Sequence, residues 1–176
     1  MRRMGVLFDY FSAATDDSAA TAIDMVGGPG QPKSTNVSPK RGLLWRRPAE
    51  QSAAPSATFD TVSTKGIDPV VQMGTLEELL TGRAYDDVMT DARCGKDLAV
   101  RDEGERLVLT ITDTLLSALA DATEDRLLAV ADPWAQTEEF FGSAKGADLL
   151  PFLRDIAALA SRARDEGHRL YCWVCV

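Results

Sequence analysis

The sequence predicts an α+β protein in which helices cover both sides of a mixed β-sheet, in a three-layer αβα arrangement. Its 176 residues are 45% hydrophobic and 26% charged, which is the composition of a globular protein with a sizeable core. Apolar segments of strand length lie near both chain ends, and apolar residues recur at helical spacing between them. We therefore expect a single domain over residues 1–176.

The first predicted strand is the aromatic segment GVLFDYF at residues 5–11, in which Asp9 is the only charged residue. A short helix capped by Asp16 or Asp17 is expected next, and the glycines at 27–28 end it.

A proline-rich, basic loop is predicted at residues 27–58. This segment holds five of the eight prolines and shows no periodic apolar pattern. Its five basic residues and one acidic residue give a balance of +4, so the remaining 14 basic and 26 acidic residues give −12. The loop contains three large apolar residues whose exposure to water would be unfavourable, Leu43, Leu44 and Trp45. They either anchor the loop on the body of the protein or form a lid or partner-binding element.

The middle of the chain is expected to combine a helix with a hairpin. Thr75 and Glu78 have the spacing of a capping box, and Gly82 ends the helix that they begin. The strand-like segments 98–101 and 107–111 flank an acidic turn with a glycine, which is the pattern of a β-hairpin spanning 98–111. A short extended segment at 59–62 and a helical turn at 86–91 are also expected.

Helices dominate the second half of the sequence. Asp132 is positioned to cap a helix that begins at Pro133 and ends at Phe141, before Gly142. Apolar residues at helical spacing predict a long helix over 149–166. Two more helices are expected at 114–120 and 124–131.

The segment LYCWVCV at residues 170–176 is predicted to be a central strand, buried on both sides. Leu170, Cys172, Val174 and Val176 alternate with Tyr171, Trp173 and Cys175, so both faces are apolar. At ~3.3 Å per residue the two cysteines stand about 10 Å apart on opposite faces, too far for a disulfide or a shared metal ion. The C-x-x-C spacing therefore indicates packing, and we predict no metal site and no cofactor.

Charge and hydropathy limit the partners. An acidic body repels nucleic acid and anionic lipid, so neither is an expected partner. The apolar run at 5–8 is too short for a signal peptide or a membrane span, so a cytoplasmic location is expected. The single histidine, His168, lacks the local motif of a catalytic triad, and the glycines at 27–30 lack the Lys-Ser/Thr of a phosphate loop.

The predicted helix over 133–141 carries the candidate site residues. Trp134, Glu138 and Phe141 fall at i, i+4 and i+7, so a carboxylate would share one helix face with two aromatic rings. This face could line a ligand-binding cleft, in which Glu138 and the strand residue Asp9 could act as acid or base, with Tyr10 as a further ligand-binding candidate. Alternatively, the aromatic rings pack into the core and Glu138 only reaches its rim.

The order of these features resembles the YfbM-like family of small bacterial proteins. The resemblance rests on the aromatic strand after Met4-Gly5, the motif Leu76-Glu77-Glu78-Leu79-Leu80-Thr81-Gly82, the Trp134 region, and an amphipathic last helix that enters a terminal strand. The composition, rich in Ala and Arg, is similar to that of actinobacterial proteins. The resemblance implies helices around a mixed sheet, and it implies no catalytic residue because the family has no established activity.

The sequence favours a non-catalytic binding or accessory protein, whose partner is a protein or a small molecule. It offers no complete catalytic set, and it carries a basic, apolar-tipped loop on an acidic body. Two alternatives stay open. One is a small hydrolase or transferase that uses carboxylates near Trp134, and the other is an immunity-type protein, for which the acidity is a hint.

Overall fold

A computed structural model describes residues 6–30 and 58–176, and there five strands form one sheet in the order β2-β1-β5-β4-β3. The strands are β1 (Leu7–Ala13), β2 (Thr61–Lys65), β3 (Asp97–Arg101), β4 (Arg106–Thr110) and β5 (Arg169–Cys175). The helices of the described residues are α1 (Asp16–Ala20), α2 (Val71–Thr81), α3 (Tyr85–Met89), α4 (Asp113–Ala120), α5 (Glu124–Ala135) and α6 (Gly146–Asp165). The predicted α+β class is confirmed.

Every strand pair in the sheet is antiparallel, so the expectation of a mixed sheet is corrected. The reason is the path between β4 and β5. The helices α4, α5 and α6 return the chain to the sheet end at which β1 and β4 finish, because Arg169 at the start of β5 pairs with Ala13 at the end of β1. The last strand therefore runs against both neighbours.

The predicted central position of the last strand is confirmed. β5 lies between β1 and β4, and its residues from Leu170 to Val174 are buried. Leu170, Cys172 and Val174 join the larger apolar cluster, whereas Tyr171 and Trp173 join a smaller one on the other side of the sheet. The two cysteines thus point to opposite faces, as their spacing predicts.

The two sides of the sheet, which we call the major face and the minor face, are covered unequally. The major face carries Tyr10 and Cys172 and packs against α2, α4, α5 and α6. The minor face carries Phe11 and Trp173, and it is covered by α1 and the 3₁₀ turn Thr21–Asp24. Helices on both sides of the sheet are therefore present, but the second layer is thin.

The helix predicted at 133–141 does not exist as one element. α5 continues through Pro133 and ends at Ala135, and a separate 3₁₀ turn spans Glu138–Phe140. Continuing the helix buries Trp134 and Ala135 beside Leu127, so the apolar contacts outweigh the hydrogen bond that proline cannot make.

Three other helix starts differ from their predicted positions. α2 begins at Val71, where Asp68 Oδ1 accepts hydrogen bonds from the backbone N–H groups of Val70 and Val71, both at 2.8 Å. Thr75 therefore lies inside α2 instead of capping it. Thr15, not Asp16 or Asp17, caps α1. α6 begins at Gly146.

The hairpin is confirmed as β3 and β4, joined by a turn with positive φ at Asp102, Glu103 and Gly104. The apolar tip of the basic loop, Leu43, Leu44 and Trp45, lies outside the described residues. Among the described helices, none combines the length and the hydropathy that a bilayer-spanning segment requires.

Candidate functional site

Trp134 and Tyr10 are core residues on the major face. Both side chains are fully buried, with 0% exposure. The indole N–H of Trp134 donates to the backbone oxygen of Gln72 at 2.9 Å, and the Tyr10 hydroxyl donates to the backbone oxygen of Ile67 at 2.8 Å. Since both side chains are fully buried and their polar atoms have protein partners, neither residue lines an open cleft. The alternative of core packing describes both residues.

Glu138 and Phe141 lie instead at the surface, on the 3₁₀ turn that follows α5. Phe141 is 92% exposed, and its backbone adopts the left-handed conformation with φ of 51°. A left-handed conformation costs a residue with a side chain ~1–2 kcal/mol. The left-handed residue ends the 3₁₀ turn, and its N–H donates to the backbone oxygen of Glu138 at 2.9 Å. Core packing does not account for the exposed aromatic ring.

An open groove of about 430 Å³ runs from this turn to the start of α2. We call it the acidic groove, because three of its lining residues are the carboxylates Asp68, Glu138 and Glu139. Its remaining lining is Val71, Gln72 and Phe141. It combines negative charge with exposed apolar surface.

Gln72 holds the two sides of the acidic groove together. Its Nε2 donates to the backbone oxygens of Gly66 and Glu139, both at 3.2 Å, and its Oε1 accepts from the backbone N–H of Asp68 at 2.7 Å. The groove is therefore preformed by one amide side chain. Oε2 of Glu139, which is one of the lining residues, is buried and has no hydrogen-bond partner among the described residues.

Asp9 lies away from this groove, on the minor face. It is 8% exposed, pairs in register with Trp173 and Ser63, and lies under the turn that contains Gly28. Desolvation raises the pKa of Asp9, and a hydrogen bond from Ser63 opposes that increase. Tyr10 and Asp9 are neighbours in sequence, yet they point to opposite faces of the sheet.

The structure does not bring Asp9 and Glu138 together. Asp9 is on the minor face, whereas Glu138 belongs to the acidic groove beside α2, which packs on the major face. A pair of carboxylates that share one substrate in a hydrolase lies within about 9.5 Å and on the same side of the bond that breaks. This geometry is absent for these two residues.

A buried carboxylate that the sequence did not reveal is Glu77 in α2. It is 1% exposed, accepts a short hydrogen bond from the Thr112 hydroxyl, and forms an ion pair with Arg83 at 3.2 Å. Desolvation raises its pKa, and Thr112 and Arg83 oppose the increase. In the sequence of α2, the helical spacing of apolar residues is the only guide to which side chains are buried. It does not distinguish Glu77 from the neighbouring Glu78, which is exposed.

Glu77 lines a closed cavity together with Cys94, Thr110 and Thr112. The volume of about 10 Å³ suits one water molecule and no substrate. Burial and the nearby carboxylates Glu77 and Asp91 raise the pKa of the Cys94 thiol, so it is a poor nucleophile. We interpret this cluster as a polar joint between α2 and the start of α4.

A second polar cluster closes one end of the minor face. Arg93 binds both carboxylate oxygens of Asp16, at 3.0 and 3.2 Å, and its guanidinium lies 5.6 Å from the centre of the Tyr171 ring. The Tyr171 hydroxyl donates to Asp16 at 2.8 Å. Burial and this hydrogen bond raise the pKa of Tyr171 to about 12. These contacts tie α1 to the sheet, and Nε and Nη2 of Arg93 are buried without a hydrogen-bond partner among the described residues.

The thiols are unpaired, and Cys172 is fully buried with its pKa raised by desolvation. Within residues 6–30 and 58–176, no group of three or more His, Cys, Asp or Glu side chains is arranged to hold a metal ion.

Comparisons with known proteins add no assignment. No family model, no curated protein and no solved structure matches the chain. The resemblance to the YfbM-like family therefore stays a prediction, and the site has to be interpreted from its own chemistry.

Proposed function

We propose that the protein is a non-catalytic binding protein whose acidic groove captures a polypeptide segment of a partner. The segment would present a Lys or Arg side chain next to a large apolar side chain. The observation that supports this proposal is the exposed Phe141, held on a strained backbone at the edge of a groove with three carboxylates. The proposal includes the cytoplasmic location that the sequence favours.

Charge complementarity selects the basic part of this partner. Asp68, Glu138 and Glu139 line the groove and give it negative charge. An ammonium or guanidinium group supplies several N–H donors as well as positive charge. A ligand without hydrogen-bond donors would displace water from these carboxylates and leave them unpaired, which costs about 1–3 kcal/mol.

The apolar part of the partner follows from Phe141 and Val71, which are 92% and 40% exposed. Aromatic residues are enriched among the few side chains that carry most of the energy of protein interfaces. Covering this ring removes apolar surface from water, and a cation beside it adds a cation–π contribution. Together these terms favour a mixed basic and apolar segment over a purely basic one.

The test is a binding titration of the full chain with a synthetic peptide of residues 38–49 (SPKRGLLWRRPA), labelled for fluorescence anisotropy. This sequence carries four basic residues beside two leucines and a tryptophan, so it has the required chemistry. We expect saturable binding that weakens with added salt, because screening reduces the attraction between charges. Phe141→Ser should weaken binding about tenfold, since an interfacial aromatic contributes more than ~1.4 kcal/mol.

Val26→Ser is the matched control, because Val26 is also 92% exposed but lies outside the groove. It should leave the affinity unchanged. A peptide with glutamine in place of its four basic residues should bind weakly or not at all. If the full chain does not bind the basic peptide, or if Phe141→Ser and Val26→Ser bind it equally well, the groove is not the binding site and the proposal is wrong.

A further inference from the structure

The two edge strands of the sheet differ in how they avoid pairing with other strands. β3 has a register shift between Asp97 and Ala99, charged residues at both ends, and an ion pair from Arg101 to Asp24. Bulges and edge charges of this kind block further strand pairing. β2 has the sequence TVSTK, with regular register over its whole length and a charge only at Lys65. Among residues 6–30 and 58–176, no bulge or edge charge of this kind protects β2.

The register identifies which backbone groups of β2 face outward. The N–H of Ser12 donates to the backbone oxygen of Asp60 at 3.1 Å, so Ser12 and Asp60 form a hydrogen-bonded pair of the antiparallel ladder. Such pairs alternate with pairs that are not hydrogen-bonded. The N–H and C=O groups of Thr61, Ser63 and Lys65 therefore point away from β1, and none of them has a backbone partner among the described residues.

One end of this edge is closed from within the chain. The N–H of Phe59 donates to the backbone oxygen of Pro29 at 3.1 Å, and Gly30 lies against the side chain of Thr61. Beyond this contact, an open groove of about 340 Å³ runs between β2 and α6. Its lining is Thr61, Val62, Ser63, Asp155, Ala158 and Arg162. The geometry is that of a strand edge beside a helix, which accepts an added strand in β-augmentation.

We propose that this edge binds a second copy of the same chain, with β2 pairing antiparallel to β2 of the other copy. Thr61 and Lys65 each lie two residues from Ser63. A two-fold axis at Ser63 therefore pairs Thr61 with Lys65 of the other copy, and Ser63 with Ser63 of the other copy. An isologous interface must be self-complementary in this way. No like charges then stand opposite each other on the strands.

The helix beside the strand is self-complementary as well. Asp155 and Arg162 lie on either side of the small residue Ala158 on the exposed surface of α6. A two-fold axis near Ala158 brings Asp155 of each copy towards Arg162 of the other. Arg162 already binds Asp60 at 2.6 Å, and its planar guanidinium has further donors for a second carboxylate. This inference does not depend on the proposed function of the acidic groove.

Sedimentation velocity of the full chain over a concentration series tests the proposal, and we expect a dimer that dissociates on dilution. Ser63→Pro removes one outward N–H without touching the ladder to β1, and should raise the dissociation constant at least about tenfold, because each lost hydrogen bond also leaves a buried acceptor unpaired. Ser63→Ala is the matched control, since it loses the same hydroxyl and keeps the N–H. It should dimerise like the wild type.

Asp155→Arg provides a test outside the strand, so that a folding defect of Ser63→Pro leaves the proposal testable. It should also weaken the dimer about tenfold, by placing like charges across the axis. Hydrogen exchange should show protected amides at Thr61, Ser63 and Lys65 only in the dimer. A wild-type monomer at every soluble concentration overturns the proposal, as does dimerisation that is unaffected by Asp155→Arg. If the protein is a monomer and those amides are protected, another part of the same chain covers the edge, and the proposal is also overturned.

Discussion

The major and minor faces of the sheet share the same five strands but are stabilised by different interactions. On the major face, large apolar side chains from four helices surround Trp134, and buried polar groups such as Glu77 and Thr112 join α2 to the start of α4. On the minor face, the cover is a short helix and a glycine turn, and the buried groups include Asp9 and the ring of Tyr171. The minor face has the smaller apolar cluster, so hydrogen bonds and charge pairs such as that of Asp16 with Arg93 contribute a larger share of its stability.

Glu77 beside α2 and Asp9 on the minor face are buried carboxylates whose pKa is raised, so the stability of each face depends in part on pH. Burial of apolar area does not depend on protonation, but a buried carboxylate changes its charge with pH. Asp9 and Asp16 both lie on the minor face, and their pKa values move in opposite directions. Four substitutions, in order of decreasing effect, test the comparison.

Trp134→Ala should have the largest effect and destabilise the protein by about 3–5 kcal/mol. The substitution removes the ring that packs edge-on against Phe140, at 5.2 Å between ring centres, and the hydrogen bond from the indole N–H to the backbone oxygen of Gln72. Urea unfolding followed by circular dichroism measures the loss. Leu128→Ala, at a half-exposed position of the same helix, is the control and should change stability by less than about 0.5 kcal/mol. Equal losses for both variants would contradict the assigned core.

Gly28→Ala should destabilise the protein by about 1–3 kcal/mol. Gly28 has φ of +95°, and an added Cβ would stand 2.1 Å from Oδ2 of Asp9. The turn must therefore lift from the minor face. Gly142→Ala is the control, because φ there is +67° but no atom lies within 4 Å of the added Cβ. Its cost should be the backbone strain alone, about 1 kcal/mol. A smaller loss at Gly28 than at Gly142 would show that the turn does not cover Asp9.

Asp16→Asn should cost about 1 kcal/mol at neutral pH, because Asp16 is partly exposed and its ion pair with Arg93 is screened. Desolvation alone would raise the pKa of Asp16, but the Tyr171 hydroxyl and Arg93 lower it. A lowered folded-state pKa stabilises the protein above the unfolded-state pKa of about 4, and this stability is lost as the pH falls through the folded value. The difference between wild type and variant should therefore vanish in acid. Asp17→Asn, at the exposed neighbouring position, is the control and should change the stability at neutral pH by less than about 0.5 kcal/mol.

Asp9→Asn should have the smallest effect, under about 1 kcal/mol, and the opposite sign at neutral pH. Desolvation raises the pKa of Asp9, so its protonated form stabilises the folded protein below the unfolded-state pKa. That stability is lost as the pH rises through the folded value. The variant should match the wild type in acid and exceed it at neutral pH in thermal unfolding. A variant that is less stable than the wild type at neutral pH would mean that the ionised carboxylate of Asp9 has favourable hydrogen bonds in the folded protein.

The candidate site was only partly visible in the sequence. Glu138 and Phe141 line the acidic groove together with the neighbouring Glu139, but the helix assumed for them does not exist. The other side of the groove comes from Asp68, Val71 and Gln72. These residues are far from Glu138 in sequence and carry no motif. Glu77 was missed for the same reason, since only its contacts with Thr112 and Arg83 mark it.

The sequence by itself determined the α+β class, the strands at both chain ends, the 98–111 hairpin, and the opposite directions of Cys172 and Cys175. These features follow from local backbone geometry, in which strand side chains alternate and turn residues have few alternatives. Only the tertiary structure decided the antiparallel order of the sheet, the continuation of α5 through Pro133, the unequal cover of the two faces and the exposed edge of β2. Those depend on contacts between distant residues, whose energies outweigh local preference.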